Sequence, residues 1–109
     1  MSEKVAYIFP GQGAQLVGMG KDFYEAEPVA KEIFDKADAI TGFALSQICF
    51  EGPEDKLNST TVSQPAIFAM SVAILEVLKS KGLLKPANVT AGLSLGEYTA
   101  LYAAGLISF

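Results

Sequence analysis

The chain has 109 residues, of which 50% are hydrophobic and 18% are charged, and its net charge at pH 7 is −4. This length allows one domain with a real hydrophobic core. The mildly acidic balance, without a basic stripe, excludes electrostatic support for nucleic-acid binding. The single cysteine, Cys49, excludes an internal disulfide, and its apolar neighbours Ile48 and Phe50 indicate a buried small side chain rather than a reactive thiol.

Residues 5–9 form a short apolar run that ends at Pro10 and Gly11. Valine, tyrosine, isoleucine and phenylalanine predict a strand here, and the continuous hydrophobicity predicts that both of its faces are buried, as in a parallel sheet. The run is too short for a signal peptide or a membrane span. We therefore expect a cytoplasmic protein without a membrane partner.

Two helical segments are predicted next. Residues 28–40 carry an apolar stripe with charged residues outside it, Pro28 suits the first helical position, and Gly42 suits the stop. Residues 45–50 predict a second, short helical segment.

Residues 51–63 indicate a loop, in which residues 55–57 can form a brief helical turn. Residues 64–81 give the strongest helical pattern, because large apolar side chains recur at helical spacing with alanines between them. Gly82 is the predicted end of this helix. Few polar side chains interrupt it, so we expect it to be mostly buried.

A second apolar run, residues 89–93, leads into the sequence GLSLG at residues 92–96, and a helical pattern follows. A strand, a sharp turn that carries a serine, and a helix form the arrangement of a nucleophile elbow, with a glycine on either side for close passage. Ser94 is therefore the candidate nucleophile. The N–H of Leu95, at the start of the helix, is a candidate donor to an oxyanion, which the helix dipole also favours.

The same residues allow a plainer interpretation. Ser94 and Glu97 fit the capping-box pattern S-x-x-E, in which the serine hydroxyl would accept the N–H of Glu97 and only cap the last helix. The chain also has no histidine, the commonest base for a serine nucleophile. If Ser94 is a nucleophile, its base lies outside these 109 residues.

The order of elements, strand, helices, strand and helix, predicts an α/β fold with parallel strands and covering helices. Two strands cannot form a self-sufficient sheet of this kind. The chain also closes on an apolar segment, residues 107–109, without a polar tail. We therefore expect the fold to be incomplete at residue 109.

Gly11 and Gly13 directly follow the first predicted strand. The dinucleotide fingerprint G-x-G-x-x-G would need a third glycine where the chain has Leu16. Two interpretations remain: a tight turn without a ligand, or a loop beside the elbow in which the N–H of Gln12 is a second oxyanion donor.

Three segments taken together resemble the N-terminal motifs of the malonyl-CoA:acyl carrier protein transacylases. They are FPGQGAQ at residues 9–15, SQPA at residues 63–66 and GLSLGEY at residues 92–98, in matching order and spacing. The resemblance implies an α/β-hydrolase-like acyltransferase domain. Residues 1–109 would be the N-terminal portion of its large subdomain, with the inserted ferredoxin-like subdomain and the C-terminal part absent.

The resemblance also implies a reaction in fatty acid biosynthesis. Ser94 would take the malonyl group of malonyl-CoA as an ester, and the phosphopantetheine thiol of acyl carrier protein would then accept it. The N–H groups of Gln12 and Leu95 would form the oxyanion hole. Malonyl-CoA is a substrate, and neither a cofactor nor a metal is implied. The catalytic histidine and the arginine that pairs with the malonyl carboxylate would lie beyond residue 109.

The resemblance places Gln64, Gly11 and Gly13 around the substrate pocket. The family commonly has histidine just before the nucleophile, where this chain has Leu93, so this position lacks the polar support that a histidine would give at the pocket wall. The apolar Leu95 is similar to the residue of malonyl-preferring rather than methylmalonyl-preferring members.

Two other functions stay open. The elbow also suits a serine esterase or thioesterase that releases the acyl group to water, and the 109 residues could be a non-catalytic binding or assembly fragment. For the isolated chain we expect no measurable turnover. We also expect self-association through apolar surface that is exposed where further strands belong.

Overall fold

The computed structural model describes residues 4–109, in which two parallel strands and six helices form an α/β fold. Strand β1 (Ala6–Phe9) pairs with strand β2 (Val89–Gly92), with Ala6 opposite Val89 and Phe9 opposite Gly92. Because parallel strands in this register end at the same edge of the sheet, the segments that follow them begin side by side. The predicted parallel pairing is confirmed.

The helices carry the rest of the described chain. In order they are α1 (Lys21–Ala26), α2 (Pro28–Thr41), α3 (Leu45–Glu51), α4 (Glu54–Leu57), α5 (Thr60–Ser80) and α6 (Leu95–Ala103). Helix α2 has Pro28 in its first turn, and it ends at Gly42, whose φ of 79° is left-handed and whose N–H donates to the Asp38 carbonyl. These are the start and stop signals that predicted it.

Helix α5 begins at Thr60, so its predicted start at residue 64 is wrong by one turn. Pro65 lies inside the helix, after its first turn. The first turn forms before the proline, with the N–H of Ser63 donating to the Ser59 carbonyl at 2.7 Å. Inside the helix, Pro65 removes its own N–H from the helix ladder and its ring crowds the carbonyl of Thr61, and the burial of the helix outweighs both costs.

The core lies between α2, α3 and α5. Phe34, Leu45 and Leu57 are its largest fully buried apolar side chains. Cys49 is also fully buried, as predicted. Burial, and then the nearby Asp38 carboxylate, raise the pKa of the Cys49 thiol to about 12.

Helix α5 has 21 residues and is long and apolar enough, by length and composition, to cross a membrane. A central helix of a globular core has the same character. Half of its most apolar window is buried inside the described chain, and it packs against α2, α3, α4 and α6. Its position in the core therefore accounts for its hydrophobicity.

The strands are less buried than their sequence predicts. Ile8 in β1 is 81% exposed and Val89 in β2 is 56% exposed. Alternate residues of both strands are only half-buried. The prediction that the first strand is buried on both faces is therefore wrong for residues 4–109, since the helices that pack on the strands leave the side of Ile8 uncovered.

Candidate active site

The turn between β2 and α6 consists of Leu93 and Ser94. Ser94 has φ 54° and ψ −111°, and it is the only non-glycine residue with a positive φ between Lys4 and Phe109. This backbone is strained for a residue that has a Cβ atom, and such strain is concentrated at functional sites. The predicted strand–turn–helix geometry is confirmed, and residues 92–96 are called the elbow below.

The backbone of the elbow can pack this closely because Gly92 and Gly96 have no side chain. A Cβ atom on Gly92 would lie 2.0 Å from the carbonyl carbon and oxygen of Gly96. A Cβ atom on Gly96 would lie 2.3 Å from the carbonyl oxygen of Phe9, at the end of β1. These neighbours are backbone atoms, which cannot yield as the end of a flexible side chain can. The elbow is therefore pressed against the end of the neighbouring strand.

The hydroxyl of Ser94 does not cap helix α6. Within the described chain, Ser94 makes no side-chain cap hydrogen bond, and the N–H of Glu97 donates at 3.0 Å to the backbone carbonyl of Ser94. The capping-box interpretation is therefore wrong. Ser94 is exposed, and its hydroxyl faces solvent at the edge where both strands end.

The N–H of Leu95 is available beside this hydroxyl. Leu95 is the first residue of α6, so no carbonyl of the helix can accept its N–H. The next N–H, of Gly96, donates to the Leu93 carbonyl at 3.0 Å. The Leu95 side chain is 9% exposed, so packing fixes the start of the helix. The positive end of the helix dipole favours negative charge at this point.

The loop after β1, residues 11–15, is called the glycine loop below, and it touches the elbow. A Cβ atom on Gly11 would lie 2.5 Å from the carbonyl oxygen of Leu93 and 3.8 Å from the backbone nitrogen of Leu95. The loop is also a tight turn, in which the N–H of Ala14 donates to the Gly11 carbonyl at 3.3 Å. The predicted proximity of loop and elbow is confirmed.

The two glycines of the loop serve different purposes. Gly11 is required for the close approach to the elbow, whereas Gly13 has φ 109° and open space around its Cα atom, so it is required for its backbone conformation. Gln12 lies between them, and its side-chain Nε2 donates to Oγ1 of Thr60 at 3.3 Å. Among the described residues, no acceptor is found for the backbone N–H of Gln12.

Gln64 lies near the start of α6. A cavity of about 370 Å³ is lined by Gln64, Pro65 and Phe68 of α5, by Leu95 and Tyr98 of α6, and by Ile107 and Ser108. Gln64 and Leu95 therefore line the same cavity. The glycine loop does not line this cavity, so the structure places Gly11 and Gly13 at the elbow rather than with Gln64.

Polar side chains behind the elbow tie its elements together. Oγ1 of Thr90 in β2 donates to the Ala100 carbonyl of α6 at 2.9 Å. The hydroxyl of Tyr102 in α6 donates to Oε1 of Glu76 in α5 at 2.6 Å. Burial, and then the Glu76 carboxylate, raise the pKa of Tyr102 to about 12. Sequence reasoning did not single out these residues, because each bond joins two separate elements.

Among residues 4–109, no group of three or more histidine, cysteine, aspartate or glutamate side chains could hold a metal ion. The class of site follows from the arrangement around Ser94. A serine on a strained strand-to-helix turn, with a loop from a neighbouring strand beside it, is the arrangement of α/β acyltransferases and hydrolases.

The chain belongs to the acyl transferase domain family, which matches residues 6–109. It is 49% identical over 106 residues to the malonyl CoA-acyl carrier protein transacylase of Bacillus subtilis (strain 168), covering 97% of this chain and 33% of that protein. The fold is accordingly the N-terminal part of an α/β acyltransferase domain.

Solved structures show the same likeness. The crystal structure of MCAT from Streptococcus pneumoniae is 50% identical with a TM-score of 0.87, covering 94% of this chain and 32% of that one. A type II PKS acyl-carrier protein in complex with its malonyl-transacylase gives 44% identity and a TM-score of 0.91, covering 97% and 34%. The chain spans about a third of the length of these relatives.

Proposed function

We propose that these residues are the serine-bearing part of a malonyl-CoA:acyl carrier protein transacylase, which transfers malonyl groups to acyl carrier protein for fatty acid biosynthesis. One observation carries the proposal. Ser94 has φ 54° and an uncapped, exposed hydroxyl, while Gly11 of the neighbouring loop lies against the Leu93 carbonyl. The name of the Bacillus subtilis relative supports the choice of malonyl-CoA and acyl carrier protein.

The proposed reaction has two halves. Oγ of Ser94 attacks the thioester carbonyl of malonyl-CoA while a base takes its proton, and the tetrahedral oxyanion accepts the N–H groups of Leu95 and Gln12. The intermediate collapses to a malonyl ester on Ser94, and coenzyme A leaves as a thiol that takes the proton from the base. The phosphopantetheine thiol of acyl carrier protein then attacks this ester by the reverse sequence, and the Ser94 hydroxyl is restored.

The proposal needs groups that this chain does not contain. The chain has no histidine, so the base comes from outside these 109 residues. The resemblance to the transacylase family implies that the arginine that pairs with the malonyl carboxylate also lies beyond residue 109. Leu93, which takes the place of the family's usual histidine, is 80% exposed and offers an apolar surface at the elbow. Neither a metal nor a cofactor enters the proposed steps.

Gln64 and the cavity beside Leu95 are the proposed acyl-binding region. The cavity adjoins the residue that follows the nucleophile, so an acyl group on Ser94 could extend toward it. The complex of a related malonyl-transacylase with its acyl-carrier protein supports a carrier protein as the second substrate. We place the protein in the cytoplasm, which suits its single buried, reduced cysteine.

The test is covalent labelling of the full-length protein with malonyl-CoA, followed by intact-mass measurement and peptide mapping. We expect one malonyl adduct on Ser94, and none in Ser94→Ala. The transfer rate should fall by about 10⁴- to 10⁶-fold in that variant, as in other nucleophile deletions.

Ser80→Ala is the matched control, because the Ser80 hydroxyl donates to the Val77 carbonyl at the far end of α5. It should label as the wild type does. A folded wild-type protein without an adduct, or an adduct that persists in Ser94→Ala, would overturn the proposal. Release of free malonate at the same rate with and without acyl carrier protein would instead identify a thioesterase.

A further inference from the structure

We infer that Gln15 is a positioning residue for the proposed transfer: together with Asn58 it fixes the glycine loop so that the N–H of Gln12 faces the elbow. The inference rests on the proposed function, because the N–H of Gln12 matters only if an oxyanion forms on an acyl group at Ser94. Gln15 itself does not touch the reacting atoms. It acts through the backbone of the loop.

Both the oxygen and the nitrogen of the Gln15 side-chain amide make hydrogen bonds. Its Oε1 accepts the N–H of Gly13 at 2.8 Å, and its Nε2 donates to Oδ1 of Asn58 at 3.0 Å. Asn58 is anchored in turn, since it caps the end of α4 and its own N–H donates at 2.9 Å to the carbonyl of Glu54, the first residue of that helix. Gln15 therefore connects the backbone of the loop to the end of a helix that lies 43 positions further along the chain.

The loop has few other restraints. A Cβ atom on Gly13 would meet nothing within 4 Å, so packing does not hold this part of the loop. The turn bond from Ala14 to Gly11 and the side-chain bond from Gln12 to Thr60 are both 3.3 Å long. The bond from Gly13 to Gln15 is the shortest of the three.

The hydrogen bond from Gly13 to Gln15 lies where it can orient the N–H of Gln12. Two peptide groups meet at the Cα atom of Gln12: one carries the N–H of Gln12, and the other carries the N–H of Gly13. Contact of Gly11 with the Leu93 carbonyl restrains the first group, and the hydrogen bond to Gln15 restrains the second. With both restrained, the direction of the Gln12 N–H is set before substrate arrives, which is the condition for effective oxyanion stabilisation.

The chemistry explains why glutamine is suited to this position. Only an amide side chain offers an acceptor and a donor together at this length. Gln15→Leu and Asn58→Leu each replace an amide by a hydrocarbon side chain, so both variants lose the connection. Asn58→Asp keeps an oxygen that accepts from Nε2 of Gln15, so it should retain the connection.

The experiment measures malonyl transfer by these variants in the full-length protein. We expect kcat to fall about 3- to 10-fold in Gln15→Leu and in Asn58→Leu, the scale of one lost hydrogen bond. KM for malonyl-CoA should change little, because an oxyanion donor acts in the transition state. Asn58→Asp should recover the wild-type kcat. Gln47→Leu is the control, since Gln47 is an exposed glutamine on α3 that takes no part in the hydrogen bonds of the glycine loop.

Amide hydrogen exchange of Gly13, followed by NMR, gives a readout that does not depend on activity. Exchange should accelerate in Gln15→Leu and in Asn58→Leu, and it should be unchanged in Asn58→Asp and Gln47→Leu. Wild-type protein that forms no ester at Ser94 refutes the proposed function, while the exchange data still report on the connection. Unchanged exchange, unchanged kcat in both leucine variants, or an Asn58→Asp as slow as Asn58→Leu refutes the positioning role.

Discussion

The contact between Gly11 and the elbow makes Gly11→Ala the most informative single substitution. The added Cβ atom would lie 2.5 Å from the carbonyl oxygen of Leu93, where ordinary contact begins at 3.4 Å. One of the two segments must therefore move by about 1 Å. The glycine loop is exposed and loosely packed, whereas the elbow is held by Gly92 and Gly96, so the loop moves and carries the N–H of Gln12 with it.

The magnitudes for stability and for activity differ widely. The loop can shift outward, and alanine lowers the conformational entropy of the unfolded chain by an amount worth about 0.4–1 kcal/mol, so the free energy of unfolding should change by no more than about 1 kcal/mol. The loss of one oxyanion donor costs about 10²- to 10³-fold in kcat. We therefore expect a nearly native stability with a loss of about 100-fold in the rate of malonyl transfer.

The assay pairs rapid-quench measurement of Ser94 malonylation with urea unfolding of the same full-length variant. Gly105→Ala is the control, because Gly105 has φ 79° with open space around it, so alanine there costs about 1–2 kcal/mol of backbone strain without touching the site. It should lose stability and keep the rate. A Gly11→Ala protein that labels within about twofold of the wild-type rate would refute the reasoning that one oxyanion donor lies in this loop.

Other expected outcomes follow from burial. Cys49 is fully buried with its pKa raised to about 12, so a thiol reagent at pH 8 should label it only after unfolding, and rapid labelling of native protein would contradict its position. The folded-state pKa values of Cys49 and Tyr102 are both raised, from 9.0 and 10.0, so their contribution to stability is complete below pH 9 and is lost as the pH rises toward 12. The urea midpoint should fall over that interval, and less steeply in Tyr102→Phe. The isolated 109-residue chain should transfer no malonyl group and should self-associate through side chains such as Ile8 and Leu93, which are 81% and 80% exposed. A monodisperse monomer in sedimentation with little dye binding would contradict the self-association.

Local signals in the sequence were enough to predict most helices. Pro28 and Gly42 bracket α2 because the ring of proline fixes φ for the first turn, and glycine, without a Cβ atom, permits the left-handed φ at the stop. The start of α5 was predicted less well, because the apolar spacing placed it at residue 64, whereas the helix begins at Thr60 and contains Pro65. The helix runs through this proline because the burial of a long apolar face is decided by tertiary packing.

Burial of the strands was harder to predict, since it depends on what lies opposite them. The apolar side chains of β1 correctly indicated a strand, but Ile8 is exposed because nothing in residues 4–109 packs on its side. The apolar residues of a strand indicate that its faces are suited to burial. They do not show which segments of the protein pack against those faces.

The geometry of the candidate site was predicted in part. The elbow around Ser94 and the nearby glycine loop follow from short-range patterns, and the structure brings both together. The connection of Gln15 to Asn58 was not predicted, because no local pattern links two side chains 43 positions apart. The roles of Ser94, Leu95, Gln12 and Gln64 in catalysis and substrate binding stay predictions for the labelling experiments.

The register of the two strands also sets where this chain could accept insertions. With Phe9 opposite Gly92, a single residue added within either strand would displace one side of the site by about 3.3 Å and reverse the faces of that strand. Extra residues in the exposed segment 81–83 after α5 would cost only a little loop entropy and would leave the register alone. Length variation among natural homologues should therefore concentrate in such connections and avoid the four-residue strands.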